Sequence, residues 1–231
     1  MQKNNQNLGD LEEALGYSFQ NRALLLLALT HSSYANEHRK EGLHHNERME
    51  FLGDAVLELT SSEFLFKKYP EMKEGDLSKL RASIVCEPTL ALCAHDINLM
   101  PYIRLGKGED KGGGRYRDSI VSDALESVIA AIYLDGGFEA ARKFVTAHIL
   151  NDIEEKKLFV DSKSHLQEIV QAEGSSCVYE LIDEQGPDHN KVFTVAVIID
   201  GKEVAQGEGH TKKRAEQLAA FNALNLRKQD K

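Results

Sequence analysis

Asn46-Glu47-Arg48-Met49-Glu50-Phe51-Leu52-Gly53-Asp54-Ala55 is the stretch on which the fold turns. Glu47, Glu50 and Asp54 stand at i, i+3 and i+7, so a helix puts them on one face. Val56, Leu57 and Leu59 follow directly, which makes this a helix that enters a core. Carboxylates carried into a core are costly to keep ionised unless something opposes their charge. Two readings follow. In one, Glu47 occupies a first turn favoured by the helix dipole and the other acids lie on a solvated face. In the other, the acids share a hard cation, which carboxylate oxygens suit.

A second segment repeats the pattern. In Asp118-Ser-Ile-Val-Ser-Asp123-Ala-Leu-Glu126, the acids Asp123 and Glu126 are again i and i+3. The run that follows is almost wholly apolar through Leu134, so this helix is expected at the centre of its domain. Two such helices can pack with their acidic ends adjacent. Glu50, Asp54, Asp123 and Glu126 would then surround one or two cations, Mg²⁺ being the expected one. Hydrogen bonding at a helix start is the plainer alternative for Asp123 and Glu126.

Both segments resemble the ribonuclease III family. Asn46 to Ala55 is similar to its signature stretch, with Met49 where Leu is more usual. Leu105 to Leu134 resembles the later half of its catalytic domain, through Leu105-Gly-Lys-Gly-Glu, Gly112 to Gly114, Arg117-Asp118-Ser119-Ile120 and Asp123 through Glu126. The resemblance implies Glu50, Asp123 and Glu126 as metal ligands and Asp54 and Glu126 as the acids on which turnover depends. It adds Glu47 as a further acid and Glu74, in Glu74-Gly75-Asp76, as one that completes the centre, across subunits. It also implies a homodimer in which Phe51 plugs a pocket on the partner subunit; the residue pattern alone leaves Phe51 open to being ordinary core.

The 231 residues allow one large or two modest domains. The longest apolar runs, Ala23 to Leu29 and Val128 to Leu134, have the length of core helices rather than of a membrane span. No signal-peptide core is seen near the first residues, and Cys86, Cys93 and Cys177 lack Cys-x-x-Cys spacing. Reduced thiols and a cytoplasmic protein are expected. The net charge of −9 speaks against a generic nucleic-acid binder, so any cations that meet a polyanion must be focused.

Helices are expected over 11–17, 22–30, 47–69, 75–98, 119–134 and 138–153. Gly136-Gly137 ends one of them, and Gly106 to Arg117 forms a mobile loop whose Lys107, Lys111, Arg115 and Arg117 suit phosphate contacts. His31, His44 and His45 read as loop residues, and neither a serine nucleophile motif nor a glycine-rich nucleotide loop appears. Composition shifts at Glu154-Glu155-Lys156-Lys157, where a linker to about 160 is expected. Beyond it the pattern is helix, three strands, helix, with a tight hairpin at Asp200-Gly201.

The last helix opens Thr211-Lys212-Lys213-Arg214, cations where the helix dipole favours acids. Exposed amides and cations together suit backbone phosphates. This α-β-β-β-α pattern resembles the double-stranded-RNA-binding domain. The resemblance implies RNA contacts from Ser164, Gln167 and Glu168 on the first helix, from Pro187 and His189 in the loop Gly186-Pro187-Asp188-His189, and from Lys212, Lys213, Arg214 and Gln217. The module is not basic overall, with 9 Lys and Arg against 12 Asp and Glu from Asp161 onward.

The expected architecture is therefore α+β in two domains: an all-α endonuclease domain over 8–137, a closing helix and linker over 138–160, and the α-β-β-β-α domain over 161–230. The expected activity is Mg²⁺-dependent cleavage of double-stranded RNA to 5′-phosphate and 3′-hydroxyl ends with short 3′ overhangs. The family's cellular work implies processing of ribosomal precursor RNA and structured messages. A non-cleaving RNA-binding regulator and a small-nucleotide phosphodiesterase are the competing readings. The intact acid set disfavours the first and the C-terminal module the second.

Overall fold

A computed structural model describes residues 7–187 and 191–229. The chain forms two compact units, divided between Ile153 and Glu154.

The first unit is helical: α1 (Leu8–Leu15), α2 (Arg22–Ala28), α3 (Ser32–Glu37), α4 (Glu47–Lys68), α5 (Glu74–Ile84), α6 (Glu87–Asp96), α7 (Lys107–Lys111) and α8 (Asp118–His148). Local chemistry sets the ends of the early helices. The Asn7 side chain accepts from the Gly9 amide to cap α1, and Asn21 caps α2 in the same way. α8 is the centre of the unit, with Val121, Ala124, Leu125 and Val128 through Ile132 fully buried. It packs along α4 and, less extensively, against α6 and α2. Gly137 interrupts α8 with a φ of 79°, and the residues beyond it still enter the same core through Ala141, Phe144 and Val145.

Two expectations change here. The single helix expected over 75–98 is two, α5 and α6. Pro88 lies in the first turn of α6, where its missing N–H costs nothing, so the chain breaks ahead of it. The segment 106–117 holds α7 and a 3-10 turn, Gly114–Tyr116. Arg115 pins it: the guanidinium pairs with Asp110 at 2.9 Å and donates to the carbonyls of Met100, Pro101 and Ile103. Arg117 pairs with Glu109 at 2.9 Å, while Lys107 and Lys111 remain exposed. Arg115 is thus committed to backbone groups and is not a phosphate contact.

The second unit comprises α9 (Ile153–Val160, whose first residue lies at the division), α10 (Ser162–Ala172), β1 (Cys177–Gln185), β2 (Val192–Ile199), β3 (Lys202–Gly209) and α11 (Lys212–Gln229). The stretch expected as linker is helical because Leu158 and Phe159 have apolar partners in this unit. The sheet is antiparallel in the order β1-β2-β3. Asp200 and Gly201 both take positive φ, 48° and 77°, as a two-residue hairpin between β2 and β3 requires. One sheet face meets α10 and α11 over Leu166, Val170, Val197, Ile199, Ala219, Ala220, Ala223 and Leu224. Among the described residues no helix is long and apolar enough to cross a membrane.

Candidate metal centre and RNA-binding face

The acids come together through one close helix crossing. A Cβ built on Gly53 would lie 1.8 Å from the Glu126 carbonyl oxygen and 2.5 Å from its carbon. Only glycine lets α4 and α8 approach in this way. The crossing places Glu126 beside the residues that flank Gly53 on its own helix. Asn46, buried just ahead of α4, receives a hydrogen bond on its carbonyl from Ser127 Oγ at 3.3 Å, and its amide donates to the Thr30 carbonyl at 2.9 Å. The start of α4 is thereby held from two sides.

Glu50, Asp123 and Glu126, all half-buried, each offer a carboxylate oxygen within 4.8 Å of the others. Among the described residues this is the group able to hold a metal ion. The electrostatics show what the cluster lacks. Burial, the Asp54 charge and then Asp123 and Glu50 push the Glu126 carboxyl up to about 8. Burial, followed by repulsion from Glu50, Glu87 and Glu47, pushes Asp123 up to about 6. Glu50 is raised by burial and by Glu47 and Asp54. Three hard oxygen donors that repel one another at this spacing are relieved by a cation between them, so the donor set fits a divalent ion such as Mg²⁺.

The remaining expected acids do not join the trio. Asp54 is exposed and acts on Glu126 and Glu50. Glu47 is exposed, acts on Glu50 and Asp123, and lies 3.7 Å from His45 Nδ1. Glu74 opens α5, exposed, and accepts from Ser78 Oγ at 2.9 Å; it is not part of the converging group. Glu87 at the start of α6 also acts on Asp123, and nothing in its sequence context marks it. Gly53 is the other residue missed by spacing alone, because its contribution is an absent side chain. Phe51 projects from α4 with 81% of its surface exposed.

In the second unit Ser164, Gln167 and Glu168 share the exposed face of α10, and Pro187 is exposed beyond β1. His189 lies outside the described residues. Lys212 and Lys213 are exposed in the first turn of α11. The other two expected contacts turn inward. Arg214 is half-buried with its guanidinium 4.5 Å from the centre of the Phe159 ring. Gln217 is 9% exposed and donates its amide to the Val160 carbonyl at 2.8 Å. A helix carries successive residues round its axis, so four residues this close in sequence cannot all face one polyanion.

A helical unit built round an acidic crossing, followed by an α-β-β-β-α unit with exposed cations, defines the class: a nuclease domain joined to a double-stranded-RNA-binding domain. Residues 21–153 match the family described as Ribonuclease-III-like, and residues 162–227 match the double-stranded RNA binding motif. Ribonuclease 3 of Listeria innocua is 50% identical over 219 residues, which span 94% of this chain and 96% of that one. Ribonuclease 3 of Carboxydothermus hydrogenoformans is 49% identical over 230 residues, 98% of each chain. Among solved structures, the nuclease domain of ribonuclease III from Campylobacter jejuni superposes with a TM-score of 0.58 at 45% identity, over 62% of this chain and 96% of that one. The chain belongs to the ribonuclease III family, and it is an endoribonuclease of double-stranded RNA.

Proposed function

We propose that this endoribonuclease is Mg²⁺-dependent, with Glu50, Asp123 and Glu126 as ligands. The observation that carries the reading is the convergence of those three carboxylates at the α4–α8 crossing. A bound Mg²⁺ supplies positive charge against the scissile phosphate and acidifies a water. The chain's own part is to hold that charge in place and to manage protons. Glu126, the most strongly raised of the trio, lies beside exposed Asp54, and these two are the acids on which turnover depends. Glu47 contributes further negative charge at the rim. Glu74 stands apart within one chain, which suits a contribution across a dimer. Products carry a 5′-phosphate and a 3′-hydroxyl, with short 3′ overhangs.

The active form is a homodimer. Phe51, Leu59 and Phe66 are 81%, 58% and 72% exposed along α4, an apolar row that a second copy would cover. The Campylobacter jejuni nuclease domain is described as having a region involved in dimer formation. Two centres across a dimer groove would cut both strands of one duplex. The second unit reads the duplex by shape, with Ser164, Gln167, Glu168, Pro187 and His189 at minor grooves and Lys212 and Lys213 at phosphates. The natural substrates are ribosomal precursor RNA and structured messages, in the cytoplasm.

The test is incubation of the protein with end-labelled duplex RNA in Mg²⁺ and, separately, in Ca²⁺. Cleavage in Mg²⁺ to ends that a 5′-phosphate-dependent exonuclease degrades is expected. Binding without cleavage in Mg²⁺ would sink the reading and favour a regulator.

A further inference from the structure

Phe159 and Val160 precede the stretch that matches the RNA-binding motif, yet they are packed on its most cationic turn. Phe159, 6% exposed, lies under the Arg214 guanidinium and meets Phe221 edge-on with ring centres 5.5 Å apart. The Val160 carbonyl accepts from the Gln217 amide at 2.8 Å, and Ser162 Oγ donates to the Gln217 carbonyl at 2.8 Å. Lys163 pairs with Glu216. Arg214, Glu216, Gln217 and Phe221 of α11 are thus all engaged by residues 159–163.

This turn has a physical need for such support. Lys212, Lys213 and Arg214 are consecutive cations at the positive end of a helix dipole, so they repel one another and the dipole and work against the cap in which Thr211 Oγ1 accepts from the Arg214 amide at 3.2 Å. A frayed turn presents neither ordered amides nor fixed cations to a phosphate. Lys212 Nζ lies 5.7 Å from the centre of the Phe193 ring and the Arg214 guanidinium 4.5 Å from that of Phe159; the closer contact, on Phe159, offsets part of the repulsion and anchors the turn to α9. We propose that the end of α9 is a buttress for the phosphate-binding turn of α11, with Phe159 as its positioning residue. Phe159 touches no RNA; it acts through Arg214 on how Lys212 and Lys213 are held. The grip on RNA then depends on residues that sequence assigns to a linker. The inference rests on the reading of Lys212 and Lys213 as phosphate contacts.

The experiment compares three full-length variants. Phe159→Leu keeps apolar bulk but removes the ring face, Phe159→Tyr keeps the ring, and Lys212→Ala/Lys213→Ala removes the cations. Each is titrated with a defined RNA duplex in Ca²⁺ over a range of KCl, and steady-state cleavage is measured in Mg²⁺. For Phe159→Leu, affinity falls about fivefold at moderate salt, KM rises with kcat unchanged, and the salt slope becomes shallower, towards that of the double lysine variant. Phe159→Tyr restores affinity and slope. A wild-type slope in Phe159→Leu overturns the buttress whether or not affinity falls, because partial unfolding lowers affinity without changing the number of phosphate contacts. A wild-type slope in the double lysine variant instead removes the phosphate reading, and the buttress with it.

Discussion

The acidic centre and the cationic turn are opposite solutions to holding like charges together. At the centre, acids from α4 and α8, far apart in sequence, are driven together by the burial of α8, and their carboxyls are forced up in pKa. At the turn, consecutive cations are spread round a helix start: Lys212 and Lys213 are exposed, with Lys212 Nζ 5.7 Å from the centre of the Phe193 ring, and Arg214 lies over Phe159. The centre is strained in proportion to its dryness, and a counter-cation or bound protons relieve it. The turn is relieved by water, salt and the rings of Phe159 and Phe193. One site should therefore respond to metal and pH, the other to ionic strength.

The sharpest way to break that contrast is Glu126→Ala. Turnover should fall on the order of a thousandfold, with duplex affinity in Ca²⁺ retained; single-turnover cleavage close to that of the parent would remove Glu126 from the chemistry. Gly53→Ala tests the crossing itself. A methyl group there meets the Glu126 backbone, so the nuclease unit should lose about 3 kcal/mol of stability and its cleavage activity, while the melting of the second unit is unchanged. Equal melting of both units in variant and parent would show that the close approach can be absorbed.

Metal and pH sharpen the comparison further. Glu126 and Asp123 have folded pKa values raised to about 8 and about 6, above their ordinary values of 4.5 and 3.8. Between the ordinary and the raised values the folded state holds the extra protons, so metal-stripped protein should lose stability as pH rises through that window. Mg²⁺ should restore it, with proton release at neutral pH; thermal melting from pH 5 to 9, with and without Mg²⁺, follows both. A flat profile for stripped protein would mean the acids are better solvated than their burial suggests. The smallest effect belongs to the lysines. Lys212→Ala/Lys213→Ala should reduce the slope of log affinity against log salt by about 2 and leave the pH profile of metal binding unaltered.

How far sequence went differs between local and long-range features for a physical reason. Helix α4, the Asp123–Glu126 pair, the hairpin at Asp200-Gly201 and the order of the second unit were legible because each is written in local spacing. The break ahead of Pro88 was weakly signalled, since proline inside a helical pattern marks either an end or a first turn. Arg115, Arg214 and Gln217 were unreadable as inward-facing residues. A cation or amide in a polar stretch looks solvent-bound until the carbonyls or ring that take it are brought beside it by the rest of the chain.

Sequence by itself determined the long helices α4 and α8, the three strands, the family resemblance and the inventory of acids and cations, because periodicity and residue chemistry are local properties. Tertiary structure alone decided that Glu50, Asp123 and Glu126 converge while Glu74 stands apart, and that α9 belongs with the RNA-binding unit. It decided as well that Gly53 sets the distance between the two acidic helices. Convergence depends on how helices cross, and a crossing is set by packing over the whole length of α4 and α8, which no single stretch of sequence contains.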